Sequence, residues 1–145
     1  MKNRISKILG VGEKYVYPAV FAEEDGKVLY TIVDLPGLHG YGDTWYDAIE
    51  NAREDMAMWL TIAEDKGEVM PTPTRNLKVS NGVTSNIAVD TLEYRKATSN
   101  KAVTRTVTLP SWLSVAAEKN GLSFSQALQE KLREQLGIDN MTITK

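Results

Sequence analysis

The sequence of 145 residues contains no cysteine and a single histidine, His39. The first absence excludes disulfide bonds, thiol catalysis and cysteine–metal sites, and one histidine cannot by itself form a histidine-based zinc site. No stretch has the 18 consecutive apolar residues that a membrane helix needs, and the basic start lacks the apolar run of a signal peptide. We therefore expect a protein of the cytoplasm, with no membrane partner, no metal and no cofactor.

The composition, 42% hydrophobic and 25% charged, is typical of a globular protein with one ordinary domain or two small ones. The net charge of −2 conceals two unlike halves. Residues 15–73 hold three basic and twelve acidic residues, a net charge of −9, whereas residues 76–145 carry +3. Such an asymmetry indicates two different partners, although two solvated surfaces would give the same numbers. A charge of +3 is low for a dedicated nucleic-acid domain, so any DNA contact would be local.

The first half of the sequence has the pattern of paired strands. Two segments rich in aromatic and β-branched residues, 15–22 and 27–33, flank an acidic turn that ends in glycine, which predicts a β-hairpin. Residues 34–37 (DLPG) predict a turn, because proline presets φ and glycine permits positive φ. A short third strand is predicted over residues 38–41.

A long amphipathic helix is predicted over residues 44–65, with Asp43 or Thr44 supplying the N-cap oxygen. Beyond it, residues 86–94 predict another strand and residues 95–102 a polar linker. The apolar stripe of the helix recurs at three- and four-residue spacing. It consists of Ala48, Ile49, Ala52, Met56, Trp59, Leu60 and Ala63.

Four aromatic residues have no chemical partner at a recognisable spacing. We interpret Trp45, Trp59 and Trp112 as packing residues, and Trp45 as the one nearest to a partner surface because it lies at the start of the helix. We interpret His39 as an exposed residue of a strand or loop. None of the four predicts a catalytic centre.

The C-terminal part predicts a strand over 103–109 and two helices, over 111–120 and 124–136. Pro110 stops the strand and can open the first helix, and Ser123 is placed as the N-cap of the second. Neither a lone strand nor helices this short are stable by themselves. The segment therefore predicts a homodimer in which two strands pair antiparallel and four helices intertwine.

This ribbon–helix–helix arrangement is one that inserts its two-stranded ribbon into the major groove of DNA. Side chains of the ribbon would meet base edges, and the amides that start the second helix would hold a phosphate. A plain dimerisation element is an equal alternative, because threonine is favoured in strands without DNA contact. The candidate DNA-binding residues are Thr104, Thr106 and Thr108 at bases, Arg105 and Lys101 at phosphates, and Ser123 and Ser125 at the helix start.

The first half of the sequence contains a series of short motifs in a fixed order. The motifs are Tyr17-Pro18-Ala19, Asp34-Leu35-Pro36-Gly37, Gly42-Asp43-Thr44, Ala48 with Glu50-Asn51-Ala52, and the prolines Pro71 and Pro73. Each motif alone is weak, but the combination is specific and resembles the HicB antitoxin family. The tail TVTLPSWLSVAAEKNGLSFSQALQEKLREQLGI is similar to the ribbon–helix–helix tail of one HicB branch, so the resemblance covers about residues 15–137.

The resemblance implies an α+β protein with two functional units. Residues 15–94 would form a partially degenerate RNase H-like domain, an antiparallel or mixed sheet plus helix, which binds and blocks a HicA toxin, a small ribonuclease that cleaves mRNA. After the linker 95–102, residues 103–137 would form a ribbon–helix–helix domain that represses the operon by binding its operator. Residues 1–14 are assigned to an N-terminal arm and residues 138–145 to a tail. The resemblance implies an antitoxin and autoregulator, not an enzyme.

An acidic surface suits such a toxin, because a protein that binds RNA needs a positive surface and opposite charges speed association. The candidate toxin-binding residues are Asp47, Glu50 and Glu54 on the helix, and Glu23, Glu24 and Asp25 in the turn.

Two alternatives stay open. One is a stand-alone dimeric DNA-binding regulator whose N-terminal domain senses a small ligand; a toxin reading frame beside the gene would discriminate against it. The other is an active RNase H-type nuclease that depends on Asp34 or Asp43, although the predicted strand bodies hold no carboxylates to bind its metal ions. The operator sequence, and whether dimers pair into tetramers, are open as well.

Overall fold

The computed structural model describes residues 12–138, so most of the predicted arm 1–14 and tail 138–145 lies outside the described residues. Four antiparallel strands form one sheet in the order β3-β2-β1-β4, and the α+β class is confirmed. The elements in chain order are β1 (Lys14–Glu24), β2 (Lys27–Thr31), β3 (His39–Gly42), α1 (Trp45–Asp65), β4 (Val83–Asp90), α2 (Thr91–Thr98), α3 (Ser111–Lys119) and α4 (Phe124–Leu136).

The predicted hairpin is formed by β1 and β2. Glu24 faces Lys27 across a two-residue turn in which Asp25 and Gly26 both have positive φ, 51° and 76°. Positive φ at both positions defines the type I′ turn, whose twist matches that of the flanking strands, and Asp-Gly is a preferred pair for it. The turn therefore projects three consecutive carboxylates, from Glu23 to Asp25, at one end of the sheet.

The core lies between one face of the sheet and α1. Alternate residues of β1, among them Tyr17 and Phe21, are buried there, as are Ile87 and Val89 of β4. The predicted stripe of α1 is confirmed, with Ile49 and Trp59 partly buried at its margin. The buried residues of α1 are Ala48, Ala52, Met56, Ala57, Leu60, Thr61 and Ala63.

The predicted strand 86–94 is confirmed as far as Asp90, but residues 91–94 and the start of the predicted linker form a helix instead. Strand β4 ends at Asp90, whose carboxylate accepts hydrogen bonds from the amides of Leu92 (3.0 Å) and Glu93 (3.2 Å) and so caps α2. Residues 95–98 are therefore helical. Side chains of this helix contact α1 and hold it against the domain.

A buried carboxylate connects α2 to α1. Glu64 accepts hydrogen bonds from the hydroxyl groups of Tyr15 and Thr91, both at 2.9 Å, and from Arg95 at 3.2 Å. Arg95 also pairs with Asp65 at 2.9 Å. The side chains of Glu64 and Arg95 are only 8% and 22% exposed, so this ion pair is poorly screened by water.

The C-terminal segment has the two predicted helices but not the predicted strand. Gly121 and Gly137 follow the helices with positive φ, 67° and 72°, and Ser123 caps α4 through the amide of Gln126 at 3.3 Å. Residues 103–109 have no strand assignment, and neither α3 nor α4 has a buried residue. A strand needs a hydrogen-bonding partner, and a single chain offers none to this segment within residues 12–138.

Candidate functional site

The tip of the β1–β2 hairpin meets the start of α1. Together they line a shallow groove of about 410 Å³, whose walls include the acidic turn, the two residues before the helix and Trp45, its first residue. The indole nitrogen of Trp45 donates a hydrogen bond to Glu23 at 2.6 Å, and its ring lies 5.9 Å from that of Phe21. These contacts fix the orientation of the exposed tryptophan face.

Lys27 lies on the opposite side of the turn and is already paired. Its ammonium group donates to Asp43 at 2.9 Å and lies 4.4 Å from the centre of the Tyr41 ring. The hydrogen bond to Asp43 raises the pKa of Lys27, against a smaller opposing effect of burial. Because this cation is engaged, the carboxylates of Glu24 and Asp25 keep the groove acidic.

Two exposed tyrosines extend this site and were missed by the sequence analysis. Tyr46 is 73% exposed in the first turn of α1, and Tyr41 is 55% exposed in β3. Large aromatic side chains with this exposure are enriched in protein–protein interfaces. The available signal was the Trp45-Tyr46 pair, which lies outside the apolar stripe of the helix.

The acidic residues predicted on α1 do not all belong to the groove. Asp47 is exposed in the first turn of α1, next in sequence to Trp45 and Tyr46. Glu50 and Glu54 lie farther along the helix, and Glu50 pairs with Arg53 at 2.8 Å. We call the combined site the hairpin–helix surface and define it by Glu23, Glu24, Asp25, Tyr41, Trp45, Tyr46 and Asp47.

Two residues position the start of α1. The Thr44 hydroxyl accepts the amide of Asp47 at 3.1 Å, so of the two predicted N-cap candidates, Asp43 and Thr44, the cap is Thr44. A Cβ atom added at Gly42 would overlap the backbone nitrogen of Ala48 and approach its Cα to 2.7 Å. Strand β3 therefore contacts the helix backbone directly. This contact fixes the position of the first turn of α1, which carries Trp45, Tyr46 and Asp47.

The residues of the nuclease alternative take part in structural contacts. The Asp34 carboxylate accepts the amide of Thr74 at 2.9 Å and its hydroxyl at 2.5 Å, which ties the turn after β2 to the segment after α1. Asp43 pairs with Lys27. Within residues 12–138 no three potential metal ligands of the His, Cys, Asp or Glu type converge. His39, as expected, is an exposed strand residue.

The candidate DNA-binding residues lie along the exposed C-terminal segment. Lys101, Thr104, Arg105, Thr106 and Thr108 are all exposed in the stretch before α3, and no strand pairing brings them together in a single chain. Ser123 and Ser125 lie apart from them, at the start of α4. Trp112, interpreted as a packing residue, is 70% exposed, because α3 has nothing to pack against within the described chain.

The fold and these surfaces define an α+β protein with an acidic, aromatic surface and an unpartnered pair of C-terminal helices. The model of the HicB-like antitoxins of bacterial toxin–antitoxin systems matches residues 17–131. The chain therefore belongs to the HicB-like antitoxin family. None of the helices in residues 12–138 combines the length and the apolar character needed to span a membrane.

A solved structure of a toxin–antitoxin complex shows a similar fold. The chain is 20% identical to a chain of a toxin–antitoxin complex from Streptococcus pneumoniae, with a TM-score of 0.54, covering 84% of this chain and 99% of that chain. It is 22% identical to the antitoxin HicB of Burkholderia pseudomallei, with a TM-score of 0.48, covering 84% and 98%. No curated protein sequence matches the chain.

Proposed function

We propose that this antitoxin neutralises a HicA-type mRNA-cleaving ribonuclease in the cytoplasm by binding it through the hairpin–helix surface. The observation that carries the proposal is the exposure of three aromatic side chains. Trp45 lines the groove together with the carboxylates of the acidic turn, Tyr46 follows it in α1, and the Tyr41 ring lies against Lys27. Aromatic side chains provide contact area at a low entropic cost, and the neighbouring carboxylates complement a surface that must bind RNA phosphates. The first half of the chain supplies the long-range attraction with its net charge of −9.

Charge reversal on α1 tests the electrostatic part of this proposal, because Asp47 belongs to the hairpin–helix surface and Glu50 and Glu54 extend its negative charge along the same helix. The variant Asp47→Lys with Glu50→Lys and Glu54→Lys is expected to slow association with the purified toxin by about tenfold or more at low salt, because steering raises association rates by 10- to 1000-fold. The difference should shrink as salt is raised. Stopped-flow fluorescence measures both effects.

A matched control separates local from overall charge. The variant Glu118→Lys with Glu130→Lys and Glu134→Lys changes the net charge equally but on α3 and α4. It should associate with the toxin much faster than the α1 variant. Equal association rates for the two triple variants would contradict a toxin-binding role for α1.

We propose that the C-terminal segment forms a dimeric ribbon–helix–helix unit that represses the operon. Leu128 and Leu132 of α4 are 41% and 48% exposed, and the exposed fraction of Trp112 in α3 is larger still. Such apolar faces on short helices need a partner, and the same segment of a second chain offers matching faces. The threonines of residues 103–109 would then form the base-reading face of a paired ribbon.

The variant Thr106→Ala tests base reading. It is expected to weaken operator binding by about tenfold at fixed salt, since a lost base contact costs about 1–3 kcal/mol. Binding to unrelated DNA and to the toxin should not change, because phosphate contacts and the N-terminal surface are intact. Unaltered operator affinity in a titration would contradict the assignment of Thr106.

We propose further that the chain has no nuclease activity of its own. Asp34 and Asp43, the two carboxylates that the nuclease alternative requires, each hold together two segments of the fold. The RNase H-like ancestry of the N-terminal unit is part of the same proposal and rests on the resemblance of the sequence motifs.

A further inference from the structure

Strand β4 ends the sheet, and no other segment of residues 12–138 pairs with its outer side. From Val83 to Val89 the strand has no charged residue, no proline and an uninterrupted register with β1. Natural proteins commonly protect such edges with lysine, proline, a bulge or a covering segment. An unprotected edge of this length is a template for a further strand.

The hydrogen-bond pattern shows which residues face the free edge. The amide of Thr91 donates to the carbonyl of Glu13 at 3.0 Å, and this pair continues the β1–β4 register by one step. Bonded pairs alternate along an antiparallel ladder, so every second residue of β4 turns its backbone groups away from β1. These residues are Thr84, Asn86 and Ala88.

We propose that β4 pairs antiparallel with β4 of a second copy of this chain, with Asn86 on the two-fold axis. In this register Asn86 faces Asn86, and Thr84 faces Ala88 on both sides. All three outward-facing residues then form backbone hydrogen-bonded pairs across the two strands. The side-chain amides of the two Asn86 residues lie side by side, where each can donate a hydrogen bond to the other. The two sheets become one sheet of eight strands.

The remaining pairs explain why the partner is a second copy. Ser85 faces Ile87 and Val83 faces Val89, so apolar groups meet apolar or small groups and no like charges oppose each other. A basic toxin would find no carboxylate within this stretch of the edge. The interface is separate from the hairpin–helix surface and from the C-terminal helices, so it adds to the proposed function without depending on it.

Cysteine cross-linking tests the register directly, because the chain has no natural cysteine. In the proposed pairing the two Asn86 Cα atoms are roughly 5.5 Å apart, within the range of a disulfide. The full-length Asn86→Cys variant should therefore oxidise to a covalent dimer on a non-reducing gel. The matched variant Thr84→Cys, on the same face but roughly 14 Å from its copy, should stay monomeric on the gel.

Charge pairing tests the interface without oxidation. Asn86→Lys and Asn86→Glu each place like charges on the axis and should halve the mass measured by light scattering, whereas Asn86→Thr should keep it. Mixing the Lys and Glu variants should restore the full mass, which also shows that both variants are folded. A mass unchanged by Asn86→Lys, or equal cross-linking at residues 84 and 86, would overturn the proposal in favour of another occupant of the edge.

Discussion

Two tyrosine hydroxyl groups at the sheet–helix interface donate to carboxylates of α1. Tyr30 bonds to Asp55, and Tyr15 bonds to Glu64 at 2.9 Å. Burial is the main cause that raises the pKa of both phenols, and the hydrogen bond and the negative charge of each carboxylate add to it. Both tyrosines must therefore stay protonated in the folded protein.

The direction of these shifts predicts how stability depends on pH. Because the pKa is higher in the folded than in the unfolded chain, the contribution of each tyrosine is complete below about pH 10, the ordinary value for a phenol, and is lost as pH rises above it. Tyr30→Phe should lower stability near pH 8 by about 1 kcal/mol and make the loss above pH 10 shallower. Urea unfolding at several pH values measures both effects.

Tyr46→Phe is the control for this prediction, because its phenol is exposed. It should follow the wild-type curve of stability against pH. An equally steep alkaline loss in Tyr30→Phe and in the wild type would show that the Tyr30 phenol does not contribute.

At the residue scale, the sequence predicted which residues form turns and helix ends better than it predicted which side chains contact each other. The Asp-Gly turn and the glycine ends of the helices followed from local backbone preferences, and the structure confirms them. The sequence left Asp43 and Thr44 as alternative caps because both have a suitable oxygen. Only the pairing of Asp43 with Lys27, sixteen residues earlier, decides between them.

At the scale of elements, α2 is the clearest difference between expectation and structure. A local signal existed, since Asp90 is followed three residues later by Glu93, the spacing of a helix start. The apolar and β-branched residues before it favoured a longer strand instead. The helix is stabilised by contacts distant in sequence, through Glu64 and the Arg95 guanidinium, and these contacts are invisible to local patterns.

Removing the Arg95 guanidinium should loosen α2. Arg95→Ala leaves the poorly exposed Glu64 carboxylate without its cation, and we expect a loss of about 2 kcal/mol or more in the free energy of unfolding. Amides of residues 91–98 should exchange hydrogen faster. Chemical denaturation and hydrogen exchange by mass spectrometry measure the two effects.

Lys96→Ala is the control for this prediction. It removes the neighbouring ion pair between Lys96 and Glu93, which are 3.1 Å apart, and the Glu93 side chain of this pair is exposed. Surface pairs contribute little, so this control should change stability by less than about 1 kcal/mol. Similar losses in both variants would mean that the burial of the Arg95 pair is unimportant.

At the scale of the whole molecule, the sequence predicted one unit with its own core and one without. The N-terminal unit folds around α1, and its strand pairs are all within one chain. The C-terminal segment presents apolar residues to solvent, and the predicted strand 103–109 is absent from the single chain. Under the proposed pairing, another chain completes the second unit, and this would explain why a single chain does not display the candidate DNA site as a ribbon.

Disrupting the apolar face of α4 tests this division. The variant Leu128→Glu with Leu132→Glu should halve the mass measured by light scattering and abolish operator binding, because buried carboxylates would have to lose their hydration. Toxin binding and the unfolding of the N-terminal unit should not change. Combined with Asn86→Lys, it should give monomers.

The control variant Gln126→Glu with Gln129→Glu adds the same charge to polar positions of α4. It should keep the wild-type mass and most of the operator affinity. A wild-type mass that survives the leucine substitutions, together with loss of operator binding, would assign these residues to DNA contact instead of dimerisation.

The close approach at Gly42 also limits how this antitoxin can diversify. Any side chain there would collide with the helix backbone at Ala48 and displace the turn that carries Trp45 and Tyr46. Under the proposed function, the solvent-exposed aromatic and acidic positions can vary to match a new toxin, whereas this buried glycine cannot. A library built to retarget the protein should randomise the exposed aromatic and acidic positions and keep Gly42 constant.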